Sequence, residues 1–399
     1  MVYKRILILL SLLVCTLNFA IADEDLLQEY CLKNQLRPLH ILFVVGHFPS
    51  PSQTFVLNIM TGLIDAGHNV SIFSTHKDTY SFMHPNIEKY KLLDHVMYEK
   101  LPLYLPNYDI VFCQFGYLGN KILKMKNLRK WLRQRKLVVC FRGSDISAHM
   151  QGDHEMYARL FRKADLFLPV CDYFKNKLIT LGCNPKKIAV HYSAIDCSQF
   201  FFEIRKKPEE ETIHLISVCR LVKKKGIDYA VKAIAQLIQK HPQIHFTIVG
   251  DGPERSYLQL LIRQLRLQDK VTLYGWGTQE QVVALLARSH IFLLPSRTSA
   301  DGNEEGIANA LKEAMAMGLI SIATWHAGTP ELIDDGVSGF LVPEKHTKEL
   351  AKKIGYVIEH PEIWESVGVA ARKKVEGDFE TEQSIQKLEK LFYRVLERV

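Results

Sequence analysis

The stretch "HIFLLPSRTSADGNEEGIANALKEAMAMGLISIAT", residues 290–324, holds a complete structural unit. "HIFLLPS" is a short apolar run that ends at Pro295–Ser296. A polar loop follows from Arg297 to Glu304. Glu305 and Gly306 then lead into "IANALKEAMAMG", rich in helix-forming residues, and "LISIAT" is apolar again. Apolar runs without alternation predict strands covered on both faces, and strand–helix–strand order predicts parallel pairing. The first amides of the helix carry partial positive charge and lack partners, so an anion can dock there. Gly306 lets a ligand come close to the backbone. Glu305 stands at the loop edge, able to accept hydrogen bonds from sugar hydroxyls. Glu313 lies further along the helix, and its side chain points back toward the helix start. The pair fits a nucleotide sugar, one carboxylate for each ring and the diphosphate between them. A capping carboxylate and an exposed helical glutamate would leave the same spacing.

The same alternation extends in both directions. "LHILFVVG", "NVSIFST", "YDIVFCQF", "KLVVCFRG", "ADLFLPVC" and "IAVHYSAI" are expected strands before residue 202, with "SQTFVLNIMTGLIDAGH" a helix after the first. "FFEIRKKPEEETIH" breaks the pattern as a charged linker over 202–213. "IHLISVCRL", "IHFTIVG" and "VTLYGWG" restart it. A chain of 399 residues exceeds one ordinary core. The expected architecture is α/β: two doubly wound, Rossmann-like domains facing across a cleft, where ligands bind at the carboxyl ends of the strands. Residues 1–38 form a hydrophobic leader and spacer, 39–203 the first domain and 204–377 the second. Residues 378–399 read as a terminal amphipathic helix, expected to pack back on the first domain.

In "CRLVKKKG", Arg220 follows a strand and Lys225 precedes Gly226 and a helix. Two cations there suit a diphosphate, although a solvated basic loop has the same composition. Gly250–Asp251–Gly252 marks a tight strand end and lacks the third glycine of a dinucleotide fingerprint. The one D-x-D, Asp23–Glu24–Asp25, lies in the leader, and the sixteen histidines show no metal-ligand spacing. No metal or other cofactor is expected.

These pieces, in order, resemble glycosyltransferase family 4, the retaining sugar transferases with the GT-B fold. They are "RLVKKKGIDYAVKA", "IVGDGPER", "VTLYGWGTQEQV", "IFLLPS", "EGIANALKEAMAMG" and "HAGTPELIDDGVSGFLV". The first half, with "FPSPSQTFVLNIMTGLIDAGHNVSIFS" and "FRGSDIS", is similar to the branch that builds bacterial exopolysaccharides of the colanic-acid and amylovoran type. The resemblance spans about residues 39–375. It implies that Arg220 and Lys225 bind the donor diphosphate, that Glu305 holds the donor sugar, and that Glu313 holds the nucleoside ribose. It also implies donor contacts from Gly275 and the Gly306–Ile307 backbone, with Ser52 and Asp145 on the acceptor side. Arg142 stands where many relatives carry histidine; a fixed cation there would stabilise the leaving group but could not act as a base. Cys219, Ala308 and Ile320 replace residues usual in the family, beside the site. The implied partners are a nucleotide-sugar donor and a saccharide acceptor, typically lipid-linked. A nucleotide-sugar epimerase would use the same phosphate site and is separated by needing no acceptor. A non-catalytic protein binding anionic membranes also suits the net charge of +8, but not a paired Glu305 and Glu313. No nucleic-acid motif occurs.

The segment "KILKMKNLRKWLRQRK", 121–136, carries eight basic residues and no acidic one. It reads as a helix whose basic face, including Lys124, Arg129, Arg133 and Lys136, meets an anionic membrane. "MVYKRILILLSLLVCTLNFAIADED" looks like a signal peptide or anchor, and its charges would export the chain. Eight cysteines without C-x-x-C spacing point instead to buried, reduced thiols. The catalytic domains are therefore expected at the cytoplasmic face of a bacterial membrane.

Overall fold

A computed structural model of the chain describes residues 37–50, 54–77, 84–99, 106–125, 132, 134–147, 155–208 and 212–397. The first half holds β1 (His40–Phe48), α1 (Thr54–Asp65), β2 (Asn69–Lys77), α2 (Pro85–Lys89), β3 (Val96–Tyr98), β4 (Ile110–Cys113), α3 (Gly116–Lys124), β5 (Lys136–Phe141), α4 (Ala158–Lys163), β6 (Leu166–Pro169) and α5 (Asp172–Thr180). The second holds β7 (Ile213–Val218), α6 (Ile227–Leu237), β8 (Ile244–Val249), α7 (Arg255–Gln264), β9 (Val271–Gly275), α8 (Gln279–Ala287), β10 (Ile291–Leu294), α9 (Asn309–Ala316), β11 (Ile320–Thr324), α10 (Thr329–Leu332) and β12 (Phe340–Val342). Helices α11 (Thr347–Glu359), α12 (Trp364–Asp378) and α13 (Thr381–Glu397) complete the chain. The strands form two six-stranded sheets, ordered β3-β2-β1-β4-β5-β6 and β12-β11-β10-β7-β8-β9. Every pairing is parallel. Strands β4, β6 and β10 are buried at every residue, as helix-covered parallel sheets require.

The last two helices tie the halves together. Trp364, at the start of α12, belongs to the second domain's core, whereas Ala371, Val375 and Phe379 join the core that continues from the first. Arg372 donates to the carbonyls of Phe200 (2.6 Å) and Ala316 (2.9 Å). Helix α13 then lies on the first domain. Phe392 packs edge-on against Phe112 with centroids 5.2 Å apart, and His68 Nε2 meets Glu389 Oε1 at 2.9 Å. The linker is pinned, since the buried Arg205 donates to the carbonyls of Ala287 and Met317.

Three sequence expectations need correction. "IAVHYSAI" is not a strand. It bridges β6 only at Phe167–Ile188, donates from Ala189 and His191 to Phe167 and Pro169, and then turns to bond Phe379 and Thr381 beside α13. Helix α9 starts at Asn309 rather than Ile307, because Ala308 is extended (φ −69°, ψ 131°) and acts as the N-cap. The basic helix is not continuous. Helix α3 ends at Lys124 and Lys136 opens strand β5, so these two do not share a helical face. Arg129 and Arg133, like Ser52, lie outside the described residues. Helices α2, α4, α5, α7, α8, α10, α11 and α12 and strands β3 and β12 were not singled out in the sequence reading.

Phe392 is fully buried, and truncating such a ring costs roughly 3–5 kcal/mol. Phe392→Ala is therefore expected to lower the guanidinium denaturation midpoint of the first domain clearly. An unchanged midpoint would mean that α13 adds nothing to its core.

Candidate active site

The carboxyl ends of both sheets face a cleft of about 520 Å³. Its second-domain wall comes from the ends of β7, β8 and β9 and from residues 305–313. Its first-domain wall includes Thr54, Phe55, Arg142 and Ser193.

Glu305 anchors the second wall. Its Oε2 lies 2.7 Å from Lys225 Nζ and 3.5 Å from Lys224 Nζ. Burial alone would raise its carboxyl, but Lys225 and Lys224 outweigh that and hold it at about 2. The Glu305 amide donates to His326 Nε2 at 2.9 Å. That nitrogen must be unprotonated, so the ring proton sits on Nδ1 and is given to Glu344 Oε1. Glu344 Oε2 also accepts from the Thr298 amide at 2.9 Å. The chain entering the irregular segment 305–308 is thus held at Glu305 by His326, and the loop before it at Thr298 by Glu344. Gly306 is needed there for packing: a Cβ would stand 2.9 Å from Val170 and 3.3 Å from Phe174 of the first domain. Helix α9 follows with no side-chain cap and no acidic residue in its first turn, leaving its N-terminus open to an anion.

Arg220 lies beside it, exposed. Gly250, on the turn after β8, has φ +133° and stands where a Cβ would fall 1.9 Å from the Cys219 carbonyl. The backbone beneath this end of the cleft therefore admits only glycine. Trp276, half exposed, closes that end with Gly277 and Val282. Glu313 points into the cleft from α9, and burial pushes its carboxyl up to about 7, with Lys312 opposing.

Across the cleft, Arg142 is held on three sides. It donates to Ser193 Oγ (3.0 Å) and Gln114 Oε1 (2.7 Å), and lies over the Phe55 ring, 4.5 Å from its centroid. Asp145 fixes the turn carrying it, accepting from the amides of Arg142, Gly143 and Gly116 at 2.9–3.0 Å.

Comparison with known proteins decides the family. The family described as "Glycosyl transferases group 1" matches residues 199–374, and "Glycosyltransferase Family 4" matches residues 52–199. A putative colanic acid biosynthesis glycosyltransferase, WcaL of Salmonella typhimurium, is 33% identical over 86% of this chain and 96% of its own. The amylovoran biosynthesis glycosyltransferase AmsK of Erwinia amylovora is 31% identical over 90% of this chain and 100% of its own. The chain belongs to glycosyltransferase family 4. Its fold is GT-B. Anabaena Alr3699/HepE, solved with UDP-glucose, superposes with a TM-score of 0.72 at 18% identity, over 89% of this chain and 100% of that one. Sucrose-phosphate synthase from Thermosynechococcus elongatus superposes at 0.71 and 17% identity, over 90% and 100%.

Within this glycosyltransferase, Arg142, Arg220, Lys225, Glu305, Gly306, Ile307 and Glu313 all line the one cleft. Asp145 does not: its carboxylate is fully buried and serves the turn, not an acceptor. Gly275 does not line it either; at φ +92° its carbonyl accepts from the Gly250 amide at 2.7 Å and shapes the floor. Ile320 is buried at the far end of β11, whereas Cys219 and Ala308 line the cleft. The sequence reading missed Lys224, although the Lys223–Lys225 run was visible. It also missed Ser193, Trp276 and the His326–Glu344 pair. Among the described residues no three metal-ligating side chains converge.

The Glu313 carboxyl sits at about 7 in the folded protein against an ordinary 4.5. Below about pH 4.5 both states are protonated and nothing is lost. Between 4.5 and 7 the unfolded carboxyl ionises first, so the site increasingly destabilises the ligand-free fold. Glu313→Gln is expected to stabilise the ligand-free protein by up to about 3 kcal/mol at pH 8 and to leave it unchanged at pH 4. Equal effects at both pH values in thermal melts would contradict the buried-carboxyl account.

Proposed function

We propose that this glycosyltransferase moves a hexosyl group from a nucleoside-diphosphate sugar to a saccharide acceptor carried on lipid, with retention of configuration and without a metal ion. The observation that carries this reading is the carboxylate of Glu305, paired with Lys225 and placed in the same cleft as the uncapped N-terminus of α9, which begins four residues later. The diphosphate sits on that helix end, with Arg220, Lys225 and Lys224 balancing its charge. Glu305 accepts from the donor sugar's hydroxyls, and Glu313 from the ribose. Arg142 faces the bond that breaks and stabilises the charge gathering on the departing phosphate. The acceptor hydroxyl adds to the anomeric carbon on the face the phosphate leaves, and its proton passes to a phosphate oxygen. The names of WcaL and AmsK support polysaccharide assembly as the setting, and the UDP-glucose held by HepE supports the donor class.

The acceptor side favours work at the cytoplasmic face of a membrane. The apolar stripe of α3 packs inward through Leu118 and Ile122, while Lys121 and Lys124 stay exposed. Exposed Arg159, Arg162 and Lys163 on neighbouring α4 continue the basic surface. The six described cysteines are all free thiols, which suits a reducing compartment. No described helix is long and apolar enough to cross a membrane.

Glu305→Gln is expected to lower transfer by roughly 10²-fold or more with an unchanged far-UV spectrum, and NMR of the new linkage should show the donor's anomeric configuration. Near-normal turnover in the variant, or an inverted product, would sink the donor-site assignment. In co-sedimentation, binding should need anionic vesicles, weaken with salt, and fall when Lys121, Lys124, Arg129 and Arg133 are changed to Gln. Equal binding to neutral vesicles would remove the membrane from the proposal.

A further inference from the structure

Lys312 is the one lysine among the described residues that is fully buried. Its amine pairs with no carboxylate there. It donates instead to the Ser193 carbonyl and to Asn309 Oδ1 (2.9 Å), and lies 5.4 Å from the centroid of the Phe379 ring. Such a group is expensive to bury. Burial pushes its ammonium down to about 7, with Glu313 opposing and Arg142 adding to the effect. A methionine of similar length would fill the space without that cost.

The position of the bond gives it a use. Lys312 rides on α9, the second-domain helix that carries Glu313 and whose N-terminus faces the cleft. Ser193 lies in the first-domain segment that runs beside β6 to Ile195. The carbonyl of Ser193 takes the Lys312 amine, and its hydroxyl takes Arg142 Nη1 at 3.0 Å. The other supports of Arg142, Gln114 and Phe55, belong to the first domain. Ser193 alone among the three is itself gripped from the donor helix.

We propose that Lys312 is a positioning residue: from α9 it fixes Ser193, and through the Ser193 hydroxyl it aims the Arg142 guanidinium at the diphosphate. The donor helix thereby sets the geometry of a cation on the opposite wall. Lys312 touches no substrate. This inference rests on the cleft being a nucleoside-diphosphate site.

The terminal phosphate of the leaving nucleotide isolates Arg142, because a nucleoside monophosphate lacks it. Isothermal titration of the full chain with UDP, GDP and ADP identifies the diphosphate bound most tightly, which is then compared with its monophosphate. Lys312→Met and Ser193→Ala are each expected to weaken the diphosphate about tenfold more than the monophosphate. Arg142→Gln should show the same selective loss. The Lys312→Met/Ser193→Ala double variant should bind no more weakly than either single one, since both cut one chain of contacts. A Lys312→Met variant that loses both nucleotides in parallel would show a packing role and overturn the proposal. Normal diphosphate binding by Ser193→Ala would overturn it too, and that change keeps the test decisive if Lys312→Met does not fold. If the unmodified protein binds none of the diphosphates, the donor-site reading falls, and this inference falls with it.

Discussion

The Glu305–Lys225 ion pair holds the cleft in shape. The two residues are far apart in sequence, yet they follow β10 and β7, which are neighbours in the second sheet. A carboxylate at this depth would otherwise be driven toward its neutral form. Lys225 and Lys224 prevent that. Taking one partner away from such a pair costs roughly 3–5 kcal/mol, because the other is left charged and shielded. The bond also fixes where the backbone runs after Glu305. With the Glu305 amide tied to His326, residues 305–308 stay out of the helix and α9 begins only at Asn309. The same contact thus delivers the helix end that an anion needs.

Much of this was legible because it is local. Parallel strands covered on both faces show up as unbroken apolar runs, so "IVFC", "LFLP" and "IFLL" announced themselves. Glu305, Gly306, Arg220 and Lys225 each sit at a strand end or helix start, where sequence neighbours define the surroundings. The order of six motifs then pointed to the family that the comparisons show. What stayed hidden depends on register or on the junction between domains. His326 meets Glu344 because Thr324 pairs with Val342 and each chain runs two residues further; no spacing rule contains that. Ser193 and Lys312 meet only across the domains. Asp145 and Gly275 misled for the opposite reason. They lie inside family motifs, but the structure uses both for the backbone.

Glu304 and Glu305 divide the work of joining the domains. Glu305 turns back to its own domain. Glu304 turns to the first, where it meets Lys177 and accepts from Tyr173 Oη at 2.8 Å, while its amide donates to Ser147 Oγ. Glu331 grips the first turn of the same helix. It accepts from the amides of Asp172 (2.8 Å) and Tyr173 (2.9 Å), capping α5 from the opposite domain, and from Tyr192 Oη at 3.1 Å. A carboxylate at a helix N-terminus complements the helix dipole, so α5 has its first turn completed only when the second domain is in place.

The charges left inside the cleft then follow. Lys225 pairs with Glu305, while Arg220 and Arg142 have no carboxylate partner among the described residues. Glu313 sits near 7, so around neutral pH it is only partly ionised. Its neighbour Lys312 is brought down to about 7 as well, so the two changes in charge offset each other and the cleft keeps the positive character that Arg220 and Arg142 give it. In the proposed donor pose, a ribose donating its hydroxyls to Glu313 would favour the ionised carboxylate, so donor binding and loss of a proton from Glu313 would be coupled.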